Sequence, residues 1–320
     1  MKFAAALLAT TAAAVSNTRV KYMHFIAEHN RSFLTTEEFE ARHTLFAEID
    51  AFIEEHNSSN ASFTVAHNFF SDLTEDEKAK TRGRVATANK IKNIVELDET
   101  NTPSSIDWRT VGAVNPIQDQ GQCGSCWAFG AVAALEGAHY NATGTLLKFA
   151  EQQLVDCAGF RYGNYGCNGG LQENAYDYYE SHDAIEESNY PYTARDGSCK
   201  YDSLKHTAVE VSTYTNVKAK SSSQTMAALA QQVLTVSIEA DKRVFQQYSS
   251  GVFDSSTCGT NLDHAVSLVG YGTDNGQEYY ILRNSWGTSW GESGYMRIAN
   301  DGDGAGVCGV QKEPLYPAAN

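Results

Sequence analysis

The 320 residues suffice for one large domain or two to three small ones, and 42% hydrophobic residues readily supply a core. The formal charge of −15 argues against nucleic acid or an anionic membrane surface as the main partner. Residues 1–100 carry 11 Lys and Arg against 15 Asp and Glu, and residues 101–320 carry 13 against 24, a balance suited to solubility in an acidic compartment.

Residues 1–16 read as a secretory signal. Lys2 is a minimal positive start, the stretch from Phe3 to Val15 is small or apolar apart from Thr10 and Thr11, and small residues near Ala14 and Ser16 suit the cut. No other run approaches about 18 apolar residues, so a soluble mature protein is expected. Residues 17–80 contain no Gly, Pro or Cys and are helical in pattern. Glu38, Arg42, Phe46, Ile49, Ile53 and Asn57 fall on one helix face, with Glu38 and Arg42 set for an ion pair one turn apart. Residues 81–105 lose periodicity and read as a linker. Beyond about 106, Gly, Tyr, Trp and Cys become frequent, and of the 25 glycines Gly83 alone lies earlier. Helices are predicted over 125–140 (Ser125 as N-cap), 151–157 and 171–181, and strands over 207–214, 233–239, 265–271, 279–284 and 294–298. Helices first and strands later predict an α+β protein with two subdomains side by side, about 106–205 and 206–320.

Seven cysteines, all beyond residue 120, after a secretory signal imply disulfides plus one thiol that stays free or pairs between chains. Cys126 directly follows a plausible N-cap, where free backbone N–H groups and the helix dipole favour a thiolate. Gln120, six residues earlier, can aim its amide at an oxyanion beside the Cys126 N–H. A cysteine nucleophile needs a base and a group to orient it. Among the later histidines, His139 and His182 sit in polar helix-end contexts and read as solvated, and His206 has no evident partner. His264 follows Asp263 at the mouth of an apolar strand, which suits a side chain aimed into a cleft. Asn284 lies 20 residues on, and Trp286 beside it can shield an Asn–His hydrogen bond from water.

These segments, with Asp107-Trp-Arg, Glu151-Gln-Gln-Leu-Val-Asp-Cys157, Cys167-Asn-Gly-Gly170, Trp290-Gly-Glu and Gly306-Val-Cys-Gly309, occur in one order that resembles papain-like cysteine proteases of the cathepsin L-like subgroup. The resemblance runs from about residue 20 to Tyr316. It implies a cysteine endopeptidase with Cys126 as nucleophile, His264 as its ion-pair partner, Asn284 orienting the imidazole and Gln120 donating to the oxyanion. It implies the disulfides Cys123–Cys167, Cys157–Cys199 and Cys258–Cys308, a helical left domain and a strand-rich, barrel-like right domain, a monomer, and no metal or cofactor. Substrate would meet Gly169, Gly170, Asp263 and Trp286. The main specificity pocket would be lined by Leu171, Ser237, Leu262 and Ala265, with Glu313 at its far end. Leu, Val or Phe would be preferred there, and a Glu313 carboxylate would add arginine above pH about 5. The reading favoured for Glu313 by the residues themselves is a solvated surface Glu beside Lys312. The periodic helix and Ala66-His-Asn-Phe-Phe-Ser-Asp72 resemble the inhibitory prosegment of the subgroup, with Ile49 and Ala66 where Asn and Gly are usual.

The expected layout is a signal over 1–16, a propeptide over 17–100 and a peptidase domain over 101–320. Protein and peptide substrates and the chain's own propeptide are the expected partners. Protonation of carboxylates such as Glu38 and Asp72 is expected to loosen the propeptide in acid, in a lysosome-like compartment or outside the cell. Asn-X-Ser/Thr acceptors occur at Asn30, Asn57, Asn60 and Asn141, of which Asn141 falls in the later domain and is the expected glycosylation site. A silent papain-like peptide binder would normally lack Cys126, His264 or Asn284, and all three are present. No metal motif occurs, and the Cys123–Cys126 pair lacks the context of a redox motif.

Overall fold

In the computed structural model, residues 17–85 and 91–319 are described; the signal expected over 1–16 lies outside them. Two helices open the chain, α1 (Asn17–Glu28) and α2 (Thr36–Asn57). The Thr35 side chain caps α2 by accepting from the Glu38 N–H, and Glu37 and Glu38 complement the dipole. The helices meet over Tyr22, Phe25 and Phe46, with Tyr22 and Phe46 ring centres 5.1 Å apart. Arg42 finds its main partner away from its own helix: its guanidinium is bidentate to Glu77 of α3 (Glu75–Ala79), whereas Glu38 stands 3.8 Å away. At the end of α2, the Asn57 amide clamps both the N–H and C=O of Val65 in β1 (Phe63–Val65). β1 then pairs antiparallel with β5 (Tyr248–Phe253), joining the N-terminal helices to the later sheet.

The later part is built around α4 (Cys126–Thr143), with α5 (Glu151–Cys157) and α6 (Gln172–Tyr179) beside it. Every α4 residue from Cys126 to His139 is buried. Gly130 and Gly137 allow this, since a Cβ there would meet Thr235 Oγ1 and the Val233 side chain within 2.8 Å. The remaining elements are β2 (Ile106–Asp107), β3 (Val211–Asn216), α7 (Ser222–Leu229), β4 (Leu234–Ile238), α8 (Arg243–Gln246), β6 (His264–Asp274), β7 (Gln277–Arg283), β8 (Tyr295–Ala299) and β9 (Leu315–Ala319). The sheet runs β1-β5-β8-β7-β6-β4-β9-β3, with β2 also on β6. One apolar core lies among the strands and another between α4, α5 and α6, the two-part α+β arrangement that the order of elements implied.

Three local expectations change. Ser125 precedes α4 but does not cap it with its side chain, which bonds the Tyr192 hydroxyl at 2.6 Å instead. His139 is buried against Phe149, with ring centres 5.9 Å apart, and is not solvated. The linker is docked at both ends: residues 81–85 enter the cleft, and 92–99 lie on the later domain.

Candidate active site

α4 begins in the cleft, so Cys126 sits at its first turn, and Cys123 is tied to Cys167 three residues before it. Cys157–Cys199 and Cys258–Cys308 are the other disulfides, which leaves Cys126 as the free thiol. β6 begins at His264, and its neighbour Ala265 donates its N–H to the Cys126 sulfur at 3.4 Å. The imidazole Nε2 lies 2.9 Å from Asn284 Oδ1, which also accepts the Ser285 N–H. An acceptor at that distance makes Nε2 the protonated nitrogen of a neutral ring. The lone pair is then on Nδ1, which is buried with no hydrogen-bond partner among the described residues. Trp286 stacks on the ring at 4.6 Å, excluding water from the Asn–His bond.

Residues 81–85 run through this cleft. The Thr81 carbonyl accepts from Gln120 Nε2 at 3.0 Å and Trp286 Nε1 at 3.2 Å. The Gly83 N–H points at the sulfur from 3.2 Å, and its carbonyl accepts from Gly170 N–H at 2.8 Å. Val85 N–H donates to the Gly170 carbonyl and Arg84 N–H to that of Asp263. The bridge between Arg84 and Gly170 is parallel. What faces the sulfur is thus an N–H donor and not a carbonyl carbon, so this strand occupies the cleft without presenting a bond to attack. Gly169 leaves room for it, since a Cβ there would lie 2.6 Å from the Gly83 carbonyl oxygen.

The strand also makes two ion pairs. Arg82 meets Asp263 at 2.9 Å. Arg84 reaches Glu313 through three contacts of 2.6 to 3.1 Å and touches the Leu262 carbonyl at 3.4 Å. Glu313 is 13% exposed and Arg84 5%, so Glu313 is not the solvated neighbour of Lys312. Leu171, Ser237 and Ala265 are buried nearby, Leu171 being fixed by its N–H to Asn164 Oδ1 at 2.9 Å.

Burial sets the protonation states. Desolvation pushes the Cys126 thiol up to about 11, against the N–H groups of Ala265 and Gly83, and lowers His264 to about 3. The helix start alone therefore does not hold a thiolate while the strand covers it, and the pair rests as thiol and neutral imidazole. Sequence reasoning missed the covering strand, although Gly83, the one glycine before residue 106 and flanked by two arginines, marked it.

Comparison with known proteins comes to the same place. The family described as papain family cysteine protease matches residues 102–318, and the cathepsin propeptide inhibitor domain (I29) matches 22–77. Cysteine proteinase RD21A of Arabidopsis thaliana is 43% identical over 293 residues, covering 88% of this chain and 62% of that protein. Digestive cysteine proteinase 2 of Homarus americanus is 39% identical over 326 residues, covering 98% of this chain and all of the relative. The structure of digestive procathepsin L 3 of Tenebrio molitor larval midgut superposes with a TM-score of 0.86 at 35% identity, over 95% of this chain and 99% of that one.

Proposed function

The chain belongs to the papain family of cysteine proteases, and on that premise we propose which residues do its chemistry and what releases them. It is a cysteine endopeptidase made as a latent precursor with its own inhibitory propeptide. Once the strand leaves and water returns, the Cys126 proton passes to His264 Nδ1. Asn284 holds the ring by its Nε2–H. The thiolate attacks the peptide carbonyl, Gln120 Nε2 and the Cys126 N–H receive the oxyanion, and the imidazolium protonates the leaving amine. Water then hydrolyses the acyl-enzyme with His264 as base. The observation that carries this is a free thiol 3.4 Å from the backbone nitrogen of Ala265, with the adjacent His264 keeping its base nitrogen unengaged and its other nitrogen on Asn284. An epoxysuccinyl inhibitor should label the acid-processed enzyme on Cys126; modification at another residue would contradict the assignment.

Acid release is assigned to the prosegment. Proton transfer from Cys126 to His264 changes no net proton count, so that pair does not itself sense pH. His67 does. Burial lowers it despite Asp50 at 3.2 Å, and it stacks on Phe46 at 4.0 Å. A loosened prosegment takes a proton there below about 6.5 and the docked one only at lower pH, so docking weakens as pH falls below that value. Glu77, held down to about 2 by Arg42, adds stability that is complete above about 4.5 and lost as pH falls toward 2. Asp72 acts in the opposite sense: burial raises it, so its protonation favours the folded prosegment and does not loosen it. Processing of the precursor should accelerate from pH 6.5 to 5, and His67→Leu should flatten that rise. An unchanged pH slope in the variant would remove His67 from the account. The new N-terminus is expected between Glu96 and Ser105, so that the propeptide is 17–100 within a few residues; N-terminal sequencing checks it.

The pocket that Arg84 enters is assigned as the main specificity pocket, taking Leu, Val or Phe against Leu171, Leu262 and Ala265 and arginine against Glu313. Bidentate pairing of a nearly dry guanidinium supports the second preference. Dipeptide reporters ending in Phe-Arg and Arg-Arg measure it. Glu313→Ala should reduce Arg-Arg cleavage about 10- to 100-fold and change Phe-Arg cleavage little. Equal loss on both would contradict a selective role.

The proposed destination is the secretory pathway, ending in an acidic vacuole or outside the cell, as a monomer with no nucleic-acid or membrane partner. Disulfides favour it, and no helix among the described residues is long and apolar enough to cross a membrane. Asn141 is exposed and suits a glycan, whereas the Asn57 amide is engaged by Val65.

A further inference from the structure

Residues 92–99 do not hang free between the two parts of the precursor; 92–94 lie against the end of β3, the last strand of the sheet path, and 97–99 against α7. Asn216 holds one end. Its Oδ1 accepts the Lys92 N–H at 3.1 Å, its own N–H donates to the Asn93 carbonyl at 2.8 Å, and Ile94 bridges it in parallel. The Asn93 amide in turn donates to Thr213 Oγ1 at 3.0 Å and to the Tyr214 carbonyl at 3.2 Å. Gln224, on α7, holds the other end. Its Oε1 accepts the Leu97 N–H at 2.8 Å and its Nε2 donates to the Leu97 carbonyl at 3.0 Å. A side-chain amide that takes both polar groups of one residue reads backbone, as a neighbouring strand would.

Three side chains set the direction. The Lys92 ammonium pairs with Glu180, lies 3.7 Å from Asp177 and stands 5.1 Å above the Tyr214 ring. Leu97 packs on the strand-side core, and Glu99 accepts from Ser223 Oγ at 2.8 Å and from Gln224. Ile94 and Val95 face solvent, so side chains between the anchors contribute little to recognition.

We infer that this edge is a second peptide-binding site of the mature domain, outside the cleft. It takes an extended peptide with a cation at the Asp177–Glu180 end and a carboxylate at the Ser223 end, read through its backbone by Asn216 and Gln224. Its occupant is residues 92–99 of the chain itself. Where the cut falls after Glu99, the excised propeptide is held at two points, and the second raises the effective concentration of the first. Nothing in the inference depends on the chemistry of Cys126, so it and the enzyme assignment fail separately.

The test uses mature enzyme from acid processing, its cleft blocked by an epoxysuccinyl inhibitor, and a fluorescent synthetic peptide of residues 91–99. Anisotropy should show saturable binding to the blocked enzyme and none to the unprocessed precursor, where the site is filled. Gln224→Ala should weaken binding about 100-fold, the loss of two hydrogen bonds to Leu97 and one to Glu99, while dipeptide hydrolysis by the unblocked variant stays unchanged. Should that variant fail to fold, a peptide N-methylated at Leu97 removes one of the same contacts with the protein unaltered. Replacing Lys92 by Ala in the peptide should weaken binding and remove most of its salt dependence. The site is overturned by no saturable binding up to about 1 mM, by equal binding to the precursor, or by an N-methylated peptide that binds as well as the parent.

Discussion

Cys126→Ala should abolish peptide hydrolysis, by about 10⁴-fold or more in kcat/KM, and should leave the acid-treated precursor uncut. The fold should survive. Cys126 is the free cysteine, so no disulfide is lost, and one sulfur in a fully buried site is a small packing change, about 1 kcal/mol or less. Asn284→Ala acts differently, because Asn284 transfers no proton. It removes the acceptor that holds His264 Nε2, so turnover should fall about 10- to 100-fold, the worth of one hydrogen bond to a charged ring. Initial rates on a dipeptide reporter and thermal unfolding of both variants separate chemistry from folding. Wild-type-like turnover by the Cys126 variant would end the assignment of the nucleophile. A Cys126 variant that unfolds many degrees early would mean that the thiol has a structural role as well.

The candidate catalytic groups were legible because each lies in a short segment with its own local logic: a cysteine opening a helix, and a histidine opening an apolar strand. α5 was legible to the residue, and β4, β6, β7 and β8 to within a few, whereas β5 was not predicted. β9 was not, because Pro317 has no N–H to donate and so disguises a strand that pairs with both β3 and β4. α7 was missed because its opening serines read as loop, although Ser221 caps it by accepting from the Gln224 N–H. The contacts that keep the precursor latent lay further from view. Periodicity gave Arg42 its partner Glu38, 3.8 Å away, and tertiary folding added Glu77 as the bidentate one. Residues 81–85 have no period at all, because an extended strand held in a cleft is shaped by the cleft. Glu313 was ambiguous for a related reason: its partner is Arg84, 229 positions away.

That strand yields the second large effect: Gly83→Ala should destroy latency. A Cβ at residue 83 would lie 1.8 Å from the carbonyl oxygen of Gly124 and 2.4 Å from its carbon. Both are backbone atoms, so no side chain can swing aside. Gly124 cannot retreat either, being pinned by its N–H to the Cys167 carbonyl and by the adjoining Cys123–Cys167 disulfide. The strand must lift instead. Lifting breaks the Gly83 N–H contact to the sulfur and the Gly170 N–H bond to its carbonyl, and it draws Thr81 away from Gln120. At about 1 kcal/mol for each contact, the loss is about 3 kcal/mol, or roughly 100-fold in occupancy of the cleft. The rest of the propeptide should stay docked, because Asn68 still holds the Gln246 carbonyl and Phe70 still packs on Trp286. The variant precursor should therefore cleave a dipeptide reporter at pH 7, where the parent is silent, and should take up an epoxysuccinyl label without acid. Residue 83 leaves with the propeptide, so the mature enzymes from variant and parent are the same molecule and should show equal kcat/KM, which controls for misfolding. A variant precursor as silent at pH 7 as the parent would show that latency does not depend on the close passage of Gly83 over Gly124.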